Sequence, residues 1–133
     1  MMKSYNFSIR TSTRVEFIDI TENIVDFTKK SKIWNGYCKI LSTHTTAGIT
    51  INQNADINVQ KDMVNMLNKF VPKTEFLNVE GNSDAHFKQS LFGNSKDVFI
   101  SEGKLQLGEW QAVFLCEFDG PRTRKVLMQI YGE

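Results

Sequence analysis

Apolar and polar positions change their period several times along the chain. Phe7 and Ile9 alternate with polar neighbours, and Val15 and Phe17 do the same after the polar residues 11–14. Period-two alternation marks a half-buried strand, so residues 4–18 predict two short strands around a turn. Ile20, Ile24 and Phe27 then follow at helical spacing, which predicts a helix over 21–30 with Asp19 or Thr21 capping its start. Asn35-Gly36 supplies a turn.

Residues 37–42 and 49–52 predict two further strands, separated by the polar tract Thr43-His44-Thr45-Thr46-Ala47-Gly48. Over 55–70 the residues Val59, Met63, Met66, Leu67 and Phe70 fall on one helical face, and Pro72 ends that helix. A third, short helix is expected over 84–93, closed by Gly93. Residues 110–118 alternate strictly. Trp110, Ala112, Phe114, Cys116 and Phe118 face one way, with Trp110 expected in the core, and Gln111, Val113, Leu115 and Glu117 face the other. The turn Asp119-Gly120-Pro121-Arg122 leads into a last strand over 124–131, and the short connection predicts an antiparallel hairpin. Helices and strands do not alternate as βαβ units. The expected class is α+β, a mostly antiparallel sheet with about three helices, in one domain over residues 1–133.

Charge and composition narrow the function. Lys and Arg total 16 against 15 Asp and Glu, a formal net charge of +1, which argues against a nucleic-acid surface built on clustered cations. The densest basic group, Lys29, Lys30 and Lys32, suits a helix C-terminus. No apolar run approaches a membrane span, residues 1–6 are polar, and a cytoplasmic location is the expectation. Cys38 and Cys116 sit inside apolar alternating runs and form no C-x-x-C pair. Buried free thiols are expected, with a disulfide between them the alternative.

Four polar segments offer chemistry. His44 follows a strand among hydroxyl residues, and His86 lies near a helix start, where backbone N–H groups favour anions. These are the only two histidines, and one shared polar site is the expectation. Asn52-Gln53-Asn54-Ala55-Asp56 joins a strand to a helix; Asp56 is a natural N-cap, and the amides suit either turn hydrogen bonds or a ligand's polar edge. Around His86, Asn82 or Ser83 can cap the third helix, Asp84 and Glu80 can join His86 as metal ligands, and Ser90 follows one turn later. Gly103 and Gly108 precede Trp110-Gln111 without a G-K-[ST] signature. G-x-S-x-G and H-E-x-x-H are absent.

These segments taken together resemble the YjbQ family. The residues that carry the resemblance are His44-Thr45-Thr46-Ala47-Gly48-Ile49-Thr50-Ile51-Asn52, Asn54-Ala55-Asp56 and Ala85-His86. They continue with Ser101-Glu102-Gly103-Lys104-Leu105, Leu107-Gly108, Trp110-Gln111 and Glu117-Phe118-Asp119-Gly120-Pro121-Arg122. The resemblance implies a YjbQ-like α+β fold, a homotrimer, and a histidine-rich polar pocket able to hold a divalent metal ion. It further implies a secondary thiamine-phosphate synthase activity, a transfer that joins a pyrimidine diphosphate to a thiazole phosphate. On that reading His44 and His86 are the catalytic residues and the metal ligands. Thr45, Thr46, Asn52, Gln53, Asn54, Asp56, Asn78, Ser90, Trp110 and Gln111 bind a small phosphorylated or anionic substrate.

Two positions depart from the family pattern. Gln53 stands where the family has Glu, and Asn78 stands where it has a third histidine. Each puts a neutral amide in place of a strong ligand or acid–base group. Two readings therefore stand side by side: a transferase working at this pocket, and a non-catalytic metal- or small-ligand-binding trimer with a degenerate site. A purely structural trimer ranks below both.

Overall fold

Eight strands and three helices follow in the order β1 (Met2–Arg10), β2 (Glu16–Asp19), α1 (Thr21–Ser31), β3 (Gly36–Ser42), β4 (Ala47–Gln53), α2 (Ile57–Phe70), α3 (Ser83–Phe92), β5 (Ser95–Ser101), β6 (Lys104–Leu105), β7 (Gln111–Glu117) and β8 (Thr123–Gly132). This is the computed structural model of the chain, and it describes residues 1–133. Every strand pair is antiparallel. The class is α+β, and no helix is long and apolar enough to cross a membrane.

The strands form two sheets, one of five in the order β1-β8-β3-β5-β6 and one of three in the order β2-β7-β4. Their facing sides share the main core. Cys38, Ile40, Val98, Ile100, Val126, Met128 and Ile130 come from the large sheet, and Ala47, Ile49, Val113 and Leu115 from the small one. Ile20 and Ile24 enter the same core from α1, while Phe27 stacks on Tyr5 and Phe7 of β1. The far face of the small sheet is covered as well: Cys116 and Phe118 pack with Ala85 of α3, Leu67 of α2, and Phe17 and Phe92. β7 is thus buried on both faces from Ala112 to Glu117.

That double burial accounts for two corrections. β7 and β8 do not form the expected hairpin; β7 pairs with β2 and β4, and β8 with β1 and β3. Both faces of β7 are apolar, so it is the centre of its own sheet, and the short turn passes from one sheet to the other. Trp110 is not in the core but 62% exposed, because it precedes the first buried residue of the strand.

The connections β1 to β2, β3 to β4 and β7 to β8 all cross between the sheets, and they meet at one end of the molecule. Thr11 N donates to Arg122 O at 2.9 Å, Phe118 N to Thr46 O at 3.1 Å, and Gly120 N to Arg14 O at 3.0 Å. At their centre the buried guanidinium of Arg124 meets the buried carboxylate of Glu117, with Nε to Oε1 at 2.9 Å. Arg124 Nη2 also donates to Thr46 Oγ1 at 2.7 Å, and Thr11 Oγ1 donates to the same carboxylate at 2.7 Å. A buried charge needs a partner and saturated hydrogen bonds, and the hydroxyls of Thr11 and Thr46 and the backbone N–H of Asp119, one from each crossing, supply them.

The helix caps follow the sequence in part. Asp56 caps α2 as expected, its carboxylate accepting Asn58 N at 2.9 Å, although the helix begins at Ile57 rather than 55. Asp19 accepts the N–H of Thr21 at 2.9 Å. Thr21 caps nothing; its hydroxyl accepts Val113 N at 2.9 Å and ties α1 to β7. Asn82 holds the cap position of α3 without a side-chain capping bond, and Gly93 ends that helix.

Candidate functional site

His44 stands just beyond β3, where β8 loses its neighbour. The last pair of those strands is Ser42 with Val126. One residue further along β8, Lys125 N donates to Nε2 of His44 at 2.8 Å, so the imidazole continues the ladder that β3 has left. Ser42 Oγ holds the turn, accepting His44 N at 3.3 Å and donating to Ala47 O at 2.8 Å. A backbone N–H can only donate, so Nε2 is unprotonated and the neutral ring carries its proton on Nδ1. Partial burial pushes the imidazole below its ordinary 6.5. The guanidiniums of Arg124 and Arg122 push the same way, against the opposing pull of Glu117. In this geometry His44 is a neutral imidazole whose Nδ1–H donates to no group of the chain.

Of its neighbours, Thr45 is exposed, and Thr46 is buried with its hydroxyl on Arg124. The remaining sequence-derived site residues separate into two further places.

The first lies at the other end of β4. Seven residues of strand, about 20 Å, separate Ala47 from Gln53. There Asn54, Trp110 and Gln111 line a cleft of about 370 Å³ with Asp19, Glu22 and Glu109. Asn54 Nδ2 donates to Asp19, and Gln111 Oε1 accepts Gly108 N at 2.8 Å. Gln53 is spent on the turn into α2: Oε1 accepts Ala55 N at 3.0 Å and Asp56 N at 3.2 Å, and Nε2 donates to Asp56 O at 3.1 Å. Asn52 Oδ1 accepts Gln53 N at 2.7 Å. Three carboxylates and no cation line this cleft, which disfavours a phosphate there.

The second is α3 and the loop before it. Asn78 Nδ2 donates to Asn82 Oδ1 at 2.7 Å and its Oδ1 accepts Ser83 Oγ at 2.9 Å, so this amide, like Gln53, is satisfied within the chain. Asp84 forms two hydrogen bonds with Arg14, at 2.9 and 3.1 Å, and is buried. Arg14 holds its carboxyl below the usual range despite that burial. Lys88, also buried, stands 3.9 Å from the same carboxylate. His86 and Ser90 are exposed on α3. No hydrogen bond or shared partner joins His86 to His44 within the chain. No three His, Cys, Asp or Glu side chains stand close enough together to hold a metal ion. Asp84 is committed to Arg14, which removes it from the set it was expected to share with His86 and Glu80.

Arg14, Glu117, Asp119 and Arg124 were not among the candidate site residues, although Glu117 and Asp119 lie in a segment that carries the resemblance, yet they build the crossover end. The signal was their phase. Glu117 has the parity of Val113 and Leu115, and Arg124 that of Val126, Met128 and Ile130. A charge at an inward position of a strand asks for a buried partner.

Comparison with known proteins places this architecture. Residues 5–133 match the family described as UPF0047 protein YjbQ-like. A UPF0047 protein of Methanocaldococcus jannaschii is 46% identical over 130 residues, 97% of this chain and 94% of that one. The UPF0047 protein YugU of Bacillus subtilis is 44% identical over 126 residues, 93% of this chain and 96% of its own. Among solved structures, an uncharacterized conserved protein of the YjbQ/UPF0047 family from Clostridium acetobutylicum superposes with a TM-score of 0.93. It is 45% identical and covers 96% of this chain and 99% of its own. A protein of unknown function from Sulfolobus solfataricus gives a TM-score of 0.92 at 31% identity over the whole of both chains. With near-complete coverage at these identities and the same two-sheet architecture, the chain belongs to the YjbQ (UPF0047) family.

Proposed function

We propose that the chain binds a small phosphorylated ligand at the crossover end, with His44 as a fixed neutral hydrogen-bond donor. The observation that supports this is the 2.8 Å bond from Lys125 N to His44 Nε2. It sets the tautomer, leaves Nδ1–H as a free donor, and places the ring in the field of two guanidiniums and the Glu117 carboxylate. Arg124 is spent on Glu117, so the exposed guanidinium of Arg122, itself bonded to Asp119, is the cation within reach of an anion at the Nδ1–H, and such a site suits a transfer that expels pyrophosphate. In such a reaction positioning and charge stabilisation do most of the work. Thiamine-phosphate formation, implied by the family resemblance, is the transfer proposed. His44 then stabilises departing negative charge and does not act as a base, because protonating Nε2 breaks the bond to Lys125.

The acid-lined Trp110 cleft is a poor phosphate site in the isolated chain. A divalent ion does not fit the donors one chain brings together, since His44 and His86 share no partner and no third ligand stands by either. Metal binding and the homotrimer belong together in this reading: only neighbouring copies add ligands. The degenerate, non-catalytic site is the second reading, favoured by the satisfied amides of Gln53 and Asn78.

The test is a titration of ¹⁵N-histidine-labelled protein with inorganic pyrophosphate, alongside an assay of thiamine-phosphate formation. Binding that moves the His44 Nδ1 resonance, and is lost in His44→Phe, is expected. No change at His44 at millimolar pyrophosphate overturns the binding site. Binding without product from the wild type leaves the site and removes the transferase.

A further inference from the structure

We propose that the turn carrying Leu77 and Val79 docks in the groove between α2 and α3 of a neighbouring copy, and that this head-to-tail contact closes a ring of three chains. Two surfaces of one chain support it: a rigid apolar tip, and an apolar groove that the tip of the same chain does not cover.

The tip belongs to the segment that joins α2 to α3. Gly81 N donates to Asn78 O at 3.1 Å and closes a turn. Asn78 Nδ2 donates to Asn82 Oδ1 at 2.7 Å, and its Oδ1 accepts Ser83 Oγ at 2.9 Å. Asn82 Nδ2 in turn donates to Asp119 at 2.7 Å, which ties the turn to the crossover end. The Asn78 side chain is thus held at the start of α3, while its two neighbours, Leu77 and Val79, are fully exposed. Turns ordinarily carry Gly, Asn, Asp, Ser or Pro, and two branched aliphatic side chains bury nothing here within the chain. A turn already fixed by hydrogen bonds loses little freedom on docking, which suits an anchor.

The groove is lined only by Met63, Met66, Leu67 and Phe70 of α2 and Phe92 of α3, and its volume is about 250 Å³. A cavity of about 150 Å³ holds a benzene ring, so this groove is large enough for the Leu77 and Val79 side chains together. Methionines suit its floor, because a thioether chain repacks around what enters. Phe87 and Leu91 lie one turn apart on α3 and, like Met66 and Phe70, are more than half exposed.

Area separates an interface from a chance patch. At roughly 150–200 Å² for a large apolar residue in the open, Met66, Phe70, Leu77, Val79, Phe87 and Leu91 present roughly 700–900 Å² on two helices and the turn that joins them. The largest apolar patch of a monomer is ordinarily about 300–600 Å². In a ring each chain gives its tip to one neighbour and its groove to the other, so every contact buries that same apolar area once. Apolar atoms make up about 57% of a typical interface, so each contact amounts to about 1,200–1,600 Å² in all, the standard size. Tip and groove are different surfaces, and a contact between different surfaces repeats into a ring or a filament. A ring of three fills every groove with a tip and agrees with the copy number that the family resemblance implies.

Light scattering on size-separated protein and a cysteine cross-link test this. Wild type is expected to hold three copies. Leu77→Glu/Val79→Glu charges the tip and disturbs nothing within the chain, where neither side chain is covered, and the mass is expected to fall to one third. Met66→Glu charges the groove and is expected to do the same. Leu77→Cys/Met66→Cys is expected to give disulfide-linked dimers and trimers on oxidation, and neither single variant is expected to give any. A wild type of one or two copies overturns the proposal, and binding of that species to phosphatidylcholine vesicles assigns the apolar face to a lipid surface instead. An unchanged mass in Leu77→Glu/Val79→Glu overturns it too, as does a cross-link in Leu77→Cys alone, which sets tip against tip. Circular dichroism on each variant separates loss of contact from loss of fold. If Met66→Glu does not fold, the tip variant and the cross-link carry the test.

Discussion

Arg124 and Glu117 lie on consecutive strands in different sheets, and their ion pair is sealed from solvent where the sheets exchange chain. Glu117 closes the ladder of the small sheet opposite both Glu16 and Ala47. Arg124 is the second residue of the β8 ladder in the large sheet, opposite Ile9. Removing one partner leaves the other charged, buried and unpaired, which typically costs about 3–5 kcal/mol. Glu117→Gln and Arg124→Met are each expected to lower the urea midpoint by that equivalent. Glu117→Leu/Arg124→Met together is expected to cost less than the sum. Additive losses in the double variant sink this account of the pair.

His44 is expected to titrate below 6.5 in the folded chain, followed by its imidazole proton resonances. As pH falls the unfolded chain takes up that proton first, so folding is progressively disfavoured. The contribution of His44 is full above the unfolded value and is lost as pH falls through the folded one. His44→Gln is expected to flatten the stability profile within that window, and Arg122→Gln to raise the His44 midpoint. A midpoint at or above 6.5 in the wild type contradicts the arrangement.

The two thiols are expected to be inert in the native protein. Burial pushes Cys38 up to about 11 and Cys116 further still, and both are free. The thiolate is the reactive form. A colorimetric thiol reagent at pH 8 is expected to modify neither until denaturant is added, and then both. Rapid native labelling of one equivalent refutes this.

Gly36 marks the closest backbone approach in the large sheet. A Cβ there would stand 1.8 Å from Tyr131 O and 2.8 Å from the Gly132 Cα. Gly36→Ala therefore forces β3 and β8 apart, and a cost at or above the usual upper limit for overpacking, about 3 kcal/mol, is expected in chemical denaturation. Wild-type stability in that variant means the strands separate freely.

Much of the fold was legible because single-element signals are local. The stripe Val59, Met63, Leu67 marked α2, and Asp56 marked its start. Pairing was less legible, because residues 119–122 suit a hairpin turn and a sheet-to-sheet crossing equally well. The clue was that Val113 and Leu115 are as apolar as Phe114 and Cys116, a pattern that needs cover on both faces. Of the site, the segments were found but not their grouping. His44 and Trp110 read as parts of one pocket until β4 set their segments at opposite ends of a strand. The structural role of the His44 ring was out of reach, since it depends on where β3 stops beside β8, a fact about register that no local window contains.

β8 lies between β1 and β3, although it comes eighth in the order of the strands along the sequence. The nine-residue β1 therefore gains its one neighbour only by a contact between residues 2–10 and 123–131. Contacts joining the two ends of a chain are slow to form. The large sheet therefore closes late in folding, and until β8 docks β1 has no partner and β3 has only β5.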